Sequence, residues 1–264
     1  MELELEGKRA VVTGSTAGIG LAIAEALARE GAAVVVNGRT RERVEAAVAR
    51  VRAARAGSDV RGVAADLGTA EGCGRVVAEV PDADVLVNNL GIFDARPFDQ
   101  IEDAEWLRFL ETNVMSGVRL SRHYFPRMLA RGWGRVLFIS SESALQIPSE
   151  MIHYGVTKTA QLGLSRGMAE LTRGTGVTVN AILAGPTRSE GVGEFVASLA
   201  RQQGKSAADV ERDFFQHARP TSLLQRFETP EEIAALTVFV ASGRASGVNG
   251  AALRVDGGVV RAIV

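Results

Sequence analysis

Short β-branched runs punctuate the chain at residues 9–13, 33–37, 60–64, 83–88, 135–140, 177–183 and 251–255. Most are continuously apolar rather than alternating, the pattern of strands buried on both faces of a sheet. Between them lie stretches rich in Ala, Leu, Arg and Glu with helical spacing, as at 19–30, 41–54 and 154–173. Strand and helix alternate, which predicts βαβ units. The expected fold is α/β, a doubly wound parallel sheet of about seven strands with helices on both faces, in a single domain over 1–264.

Local chemistry marks some boundaries. Thr229-Pro230-Glu231-Glu232 combines an N-cap threonine, a proline at the first helical position and a glutamate placed for a capping box, so a helix is expected there. Gly31 and Gly57 follow helical runs, where a left-handed residue commonly ends a helix. Residues 185–227 form the longest stretch without a strand signal, too long for a structureless loop. Two short helices are expected in it, forming a substrate flap at about 187–222 whose apolar underside is Phe195, Leu199, Phe214 and Phe215.

Composition narrows the function classes. Hydrophobic residues make up 46% of the 264 and charged residues 23%, enough apolar surface for one core. A formal charge of −1 supplies no global field for nucleic acid or an anionic membrane, so neither is an expected partner. Cys73 is the only cysteine, which rules out an internal disulfide and a thiolate zinc cluster. The acidic, alternating start lacks the pattern of a secretion signal, and no apolar run reaches the roughly 18 residues that span a bilayer. A cytoplasmic protein is expected. His153, His123 and His217 have no second ligand at metal spacing; no metal is expected, and His153 reads as a pocket-rim or surface residue.

After the first strand comes Thr13-Gly14-Ser15-Thr16-Ala17-Gly18-Ile19-Gly20, followed at once by an amphipathic helix. Gly14 permits a sharp turn, Gly18 a close backbone approach to a pyrophosphate, and Gly20 tight packing of helix on strand. The free amides at the helix start then face the anion. Three residues separate Gly14 from Gly18, and Thr-Gly-x-x-x-Gly-Ile-Gly resembles the short-chain dehydrogenase/reductase family, a Rossmann-fold group.

The resemblance runs from about residue 5 to 258. Asp66-Leu67 follows the third strand, where the family has an aspartate that bonds the adenine amino group; the alternative is an aspartate that starts a helix before Thr69. Asn88-Asn89-Leu90-Gly91 is similar to the family's Asn-Asn-Ala-Gly, with Asn89 and Gly91 lining the cofactor groove and leucine in place of alanine. Asn113, in a helical run over 106–129, matches the asparagine that holds a water at the end of a proton relay. Ser141 closes the fifth strand thirteen positions before Tyr154; Ser140 is the competing assignment. Tyr154-Gly155-Val156-Thr157-Lys158 matches the family's YxxxK, and residues at i and i+4 share one helix face. Gly185-Pro186-Thr187-Arg188-Ser189, after Ala184, resembles the nicotinamide-binding Pro-Gly-x-x-x-Thr, with alanine for the proline and serine for the threonine. The region 226–241 and Val255-Asp256-Gly257-Gly258 also match the family's closing pattern.

What the resemblance implies is hydride transfer between a nicotinamide dinucleotide and a carbonyl or secondary alcohol. Asn113, Ser141, Tyr154 and Lys158 are the implied catalytic set. A phenol of pKa near 10 is too weak a base at neutral pH, so Lys158 and the nicotinamide ring are expected to lower it. Val36-Asn37-Gly38-Arg39-Thr40 ends the second strand with glycine where NAD enzymes carry an acid, and Arg39 suits a 2′-phosphate. NADP(H) is therefore the expected cofactor and NAD(H) the alternative. The resemblance also implies a homotetramer and a small-molecule substrate. A 3-oxoacyl thioester, a sugar or polyol and a cyclic ketone all stay open, as does a cofactor-binding regulator without turnover. An extended sugar-nucleotide epimerase is disfavoured by its different glycine spacing.

Overall fold

Seven parallel strands pair in the order β3-β2-β1-β4-β5-β6-β7 in the computed structural model, which describes residues 2–263, apart from the side chains of 191, 194, 195, 198, 199 and 203. The strands are β1 (Arg9–Val12), β2 (Ala33–Gly38), β3 (Val60–Ala64), β4 (Val85–Asn88), β5 (Trp133–Ser141), β6 (Gly176–Ala184) and β7 (Ala252–Val255). The helices are α1 (Gly18–Arg29), α2 (Arg41–Ala53), α3 (Ala70–Glu79), α4 (Asp103–Leu110), α5 (Ser116–Arg131), α6 (Ile152–Glu170), α7 (Glu190–Gln203), α8 (Ala207–His217) and α9 (Pro230–Ala241).

Strand residues feed two cores by the period-2 rule. Val12, Val36, Val87, Leu137 and Ile139 face α1, α2 and α9. Val11, Val35, Leu86, Val136 and Phe138 face α3 and α5, where Leu120, Tyr124 and Met128 complete the layer. Both faces are covered, which is why the strands read as unbroken apolar runs. β1 pairs with β2 on one side and β4 on the other, so the strand order reverses there and opens a crevice beyond the carboxyl ends of the strands.

The capping box forms as expected: Thr229 Oγ1 accepts from Glu232 N at 3.3 Å, and Thr229 N donates to Glu232 Oε2 at 2.8 Å. The helix starts at Pro230, inside the matched region 226–241. Gly31 and Gly57 take positive φ, 86° and 77°. The expected helical pair lies at α7 and α8, where Val196, Ala200, Val210, Phe215 and Phe227 form a third, small core. Phe214 and Phe215 pack there, while the Phe195 and Leu199 side chains lie outside the described residues.

One expectation needs refining. Residues 106–129 read as a single helical run, but α4 and α5 are joined by a π-helical turn at Glu111–Met115 that contains Asn113. Such single-turn bulges insert a residue and re-aim the side chains around it.

Candidate active site

The glycine turn is held open by its neighbours rather than by its own side chains. Gly14 and Gly18 have φ of 58° and 55°, which L residues rarely adopt. A Cβ on Gly20 would lie 2.4 Å from Asn89 Nδ2 and 2.5 Å from the Gly14 carbonyl, so α1 can approach β4 only with glycine there. Asn89 Nδ2 donates to the carbonyls of Thr13 and Gly14 at 2.9 and 3.1 Å. Asn37 clamps the other side: its Oδ1 accepts from Gly14 N at 3.2 Å, and its Nδ2 donates to the Val63 and Ala65 carbonyls. The sequence reading gave Asn37 no role; a polar residue inside an apolar strand was the available signal.

The start of α1 suits an anion. Its N-cap is Ala17, without a side-chain cap, as at α4, α5 and α6, whereas α2, α3, α7, α8 and α9 are capped by Thr40, Thr69, Ser189, Ser206 and Thr229. The amides of Gly18, Ile19 and Gly20 stand at that uncapped end, where a pyrophosphate finds donors and a favourable dipole. The dinucleotide therefore fits this turn.

The side chains of the other expected cofactor residues are disposed as follows. Ser15 is turned inward: its N–H donates to the Asn37 carbonyl and its Oγ to the Val12 carbonyl, so its donors serve the scaffold. Leu67 is buried in the second core, which leaves only its backbone for a ligand. Thr40 Oγ1 accepts from Arg43 N as the cap of α2, which leaves its O–H to donate elsewhere. Thr16 lies against Gly38, and Arg39 and Asp66 are exposed beyond the ends of β2 and β3. Asp66 is not a helix cap; its Oδ1 accepts from Gly68 N while Thr69 caps α3.

Gly185 packs tightly, since a Cβ would meet Glu228 Oε2 at 2.5 Å and Asp256 Cα at 2.7 Å. Burial and the nearby Asp256 charge push the Glu228 carboxyl up to about 7. Pro186 and Thr187 follow, with Thr187 Oγ1 donating to the Gly185 carbonyl at 2.9 Å. Ser189 Cβ would be 3.3 Å from a Cβ on Gly18, so this turn and the glycine turn approach each other across the crevice.

Ser141, Tyr154, Lys158 and Asn113 converge beyond β4 and β5. Lys158 is buried, and its Nζ donates to the Ile139 carbonyl at 2.8 Å and lies 5.7 Å from the Tyr154 ring centroid. A Cβ on Gly91 would be 3.4 Å from that Nζ. Asn113 accepts at Oδ1 from Ile92 N and donates from Nδ2 to the Ile92 carbonyl and to Thr157 Oγ1, at 2.8, 3.0 and 2.9 Å. Ser140 donates instead to the Lys158 carbonyl at 3.0 Å.

Burial pushes the Tyr154 phenol above its ordinary value, opposed by its hydrogen bond with Ser141. Burial brings Lys158 down to about 8. Burial thus acts against the expected lowering and favours the protonated phenol, the form that can give a proton to a carbonyl oxygen.

Three residues beside this group escaped the sequence reading. Glu142 is buried and accepts from the Ser141 hydroxyl and from Ser143 N. Arg219 Nε donates to Glu142 Oε1 at 3.0 Å. Gln161 Nε2 donates to the Asn113 carbonyl at 2.6 Å. A charged residue ending an apolar strand marked Glu142, and the i+3 spacing from Lys158 marked Gln161. His153 is corrected outright: it is fully buried, 4.1 Å from Phe109 and 6.0 Å from Trp106 between centroids, with neither ring nitrogen hydrogen-bonded.

A cavity of about 710 Å³ lies at the opposite, amino-terminal edge of the sheet, among Glu6, Arg9, Arg55 and Arg131. Arg55 pairs there with Glu6 and Arg131 with Asp82, and the cavity lies at the opposite end of the strands from Ser141, Tyr154 and Lys158. Among the described residues no group of three or more His, Cys, Asp or Glu could hold a metal ion. No described helix is long and apolar enough to cross a membrane.

The family model for short chain dehydrogenases matches residues 8–200. The chain is 48% identical over the full length of both chains to an uncharacterized oxidoreductase, YvaG, of Bacillus subtilis. It is 34% identical to a D-beta-hydroxybutyrate dehydrogenase of Cupriavidus necator, covering 97% of this chain and 99% of that one. In structure it is similar to the L-sorbose reductase of Gluconobacter frateurii complexed with NADPH and L-sorbose, with a TM-score of 0.94, 34% identity and full coverage of both chains.

Proposed function

Because the chain belongs to the short-chain dehydrogenase family, a nicotinamide-dependent oxidoreductase group acting on carbonyl and alcohol carbons, we propose that it works with NADP(H) and that Tyr154 moves the proton. The observation that carries this reading is the placement of Tyr154 and Lys158 on one face of α6 against the end of β5, where Ser141 sits.

The uncapped start of α1 and the turns at Gly14 to Gly20 and Gly185 to Ser189 would hold the dinucleotide. Bound there, its nicotinamide supplies the hydride. In the reductive direction a carbonyl carbon gains that hydride while Tyr154 gives its phenolic proton to the oxygen. Ser141 steadies the charge that develops on that oxygen. Lys158, anchored at the Ile139 carbonyl, holds the ribose side of the pocket and supplies positive charge when the tyrosine becomes a phenolate. Asn113 keeps the Ile92 backbone and Thr157 in place behind it.

NADP(H) is favoured by what stands at the end of β2. Gly38 leaves no carboxylate to repel a 2′-phosphate, and Arg39 is exposed with no ion-pair partner among the described residues, whereas Arg41 and Arg43 pair with Glu45 and Glu190. The helices α7 and α8 act as the flap over the crevice in this reading. Assembly as a homotetramer belongs to the same proposal and rests on the family resemblance.

Tyr154→Phe tests the chemistry. Turnover is expected to fall by at least about 100-fold with NADPH binding retained, since general acid-base catalysis contributes that much. Turnover within a few-fold of wild type would remove Tyr154 from its role. NADPH binding by a wild type that turns over no carbonyl would favour the regulatory alternative.

A further inference from the structure

Glu228 carries a carboxyl that the fold buries without a counter-charge. The residue is 2% exposed, and its Oε2 has no hydrogen-bond partner among the described residues. A Cβ added to Gly185 would lie 2.5 Å from that oxygen and 2.7 Å from Asp256 Cα, so Glu228 and Asp256 crowd the same side of one glycine. Asp256 is served by two backbone donors, Gly258 N and Val260 N, each at 3.0 Å. Cations on the neighbouring elements are engaged elsewhere: Arg226 with Glu232 at the start of α9, Arg188 with Glu211 of α8, and Lys158 of α6 with the Ile139 carbonyl. Asp256 and Glu232 act on Glu228 in the same direction as burial, opposed only by the backbone of Gly185 and Gly257.

The backbone of Glu228 frames the turn that follows β6. Glu228 N donates to the Pro186 carbonyl at 2.9 Å, and Arg188 N donates to the Glu228 carbonyl at 2.8 Å. Leu223 N donates to the Gly257 carbonyl at 2.7 Å. The chain leaving α8, the turn after β6 and the turn after β7 therefore meet around this one carboxyl. The junction borders the crevice, because Ser189 at the far end of the turn comes up against Gly18.

We propose that Glu228 is a positioning residue for the turn at 185–189: as a neutral acid it holds that turn against the nicotinamide end of the dinucleotide, and on ionising it releases it. A carboxylate at this place would be buried beside Asp256 with no cation, a costly state that opening to water relieves. Such an opening moves Gly185 and its turn away from 256–258. The neutral acid meets no comparable cost. Burial and Asp256 push this carboxyl up to about 7, so its form changes around neutral pH. Dinucleotide binding favours the protonated form, and affinity is therefore full below about 7 and lost as pH rises past it. A turn that binds the proton about 10-fold more tightly when closed loses about 10-fold in affinity over that range.

The inference rests on the dinucleotide reading of the crevice, and the test separates the two. NADPH and 2′-phospho-ADP-ribose, the same molecule without its nicotinamide, are titrated by calorimetry at pH 6 and pH 8.5. Wild type is expected to bind NADPH about 10-fold more weakly at the higher pH, with 2′-phospho-ADP-ribose changing by less than about 3-fold. Both ligands carry the 2′-phosphate and both riboses, so titration of that phosphate or of Lys158 moves them alike. Glu228→Gln keeps the shape of the neutral acid and should bind NADPH at pH 8.5 about as tightly as wild type does at pH 6. Glu228→Ala serves if that variant does not fold; it should bind more weakly at pH 6 but with the same flat profile. Equal pH dependence for the two ligands, or the wild-type slope kept in either variant, would overturn the proposal. NADPH binding by wild type that is flat with pH would overturn it while sparing the dinucleotide reading. Binding of none of these ligands, NADH included, would overturn both.

Discussion

Gln161 bridges the two residues that frame the back of the reactive group: its Nε2 donates to the Asn113 carbonyl at 2.6 Å, and its Oε1 lies 3.4 Å from Lys158 Nζ. The carboxamide is buried and ties the π-helical turn to α6. The family resemblance implies a relay water beside Asn113, and here a side chain already takes one lone pair of that carbonyl. Gln161→Leu should leave the carbonyl short of a partner, a cost of about 1–3 kcal/mol. Calorimetry is expected to show Tm lower by roughly 2–4 °C per kcal/mol for a chain of this order of size. An unchanged Tm would mean that the bond carries no load.

Lys158 provides a pH signature. Burial lowers its folded value to about 8 from an ordinary 10.5, so between those limits the unfolded chain binds more protons than the folded one. Stability on this group's account therefore rises as pH climbs from about 8 to 10.5, and is flat below. Lys158→Met should abolish that rise while also weakening NADPH binding and turnover. Parallel denaturant titrations of wild type and variant at pH 7.5 and 9.5 measure the difference. The same slope in both proteins would place the titrating group elsewhere.

The strands were legible because a sheet covered on both faces imposes unbroken apolar runs, and the glycine turn and YxxxK because each is local. Edges were less so. β4 begins at Val85 rather than at residue 83, and the Asp84 carboxylate ahead of it accepts from Arg9 N at 2.9 Å. The π-helical turn was hidden, since one inserted residue hardly disturbs helical periodicity over 106–129. Glu142 and Arg219, and Gln161 and Asn113, meet across 77 and 48 residues. No local pattern announces such pairs, so the polar shell around the reactive group had to be seen in the fold.

His153 should behave as an acid-sensitive element of the core. It packs on Phe109 and Trp106 with both nitrogens unpartnered, and burial is the main cause holding it below its ordinary 6.5. Glu105, Asp94, Arg96 and Arg108 are the charged groups that act on it from the neighbouring segments. The unfolded chain binds the extra proton below about 6.5, so stability on this account falls as pH drops through that value. His153→Leu is expected to hold or raise Tm at pH 7.5 and to reduce its decline at pH 5. A steeper decline in the variant would show that the imidazole is protonated and paired in the folded protein.

Arg39 carries the last test, that of cofactor choice. It follows Gly38 at the end of β2, exposed, and Thr16 of the glycine turn lies against that glycine. A guanidinium there can bond a 2′-phosphate with charge-assisted hydrogen bonds, each contributing roughly 1.5–3 kcal/mol. Arg39→Ala should therefore weaken NADPH by about 10- to 150-fold and NADH far less, because NADH offers only ribose hydroxyls at this place. Gly38→Asp should act in the same direction by adding a repelling charge, although Thr16 must then shift, since a Cβ at residue 38 would lie 2.3 Å from Thr16 Cγ2. Titrating both cofactors into wild type and Arg39→Ala is the cleaner experiment. Tighter binding of NADH than of NADPH by wild type, or equal losses for both cofactors in the variant, would reduce Arg39 to a solvated residue ahead of α2.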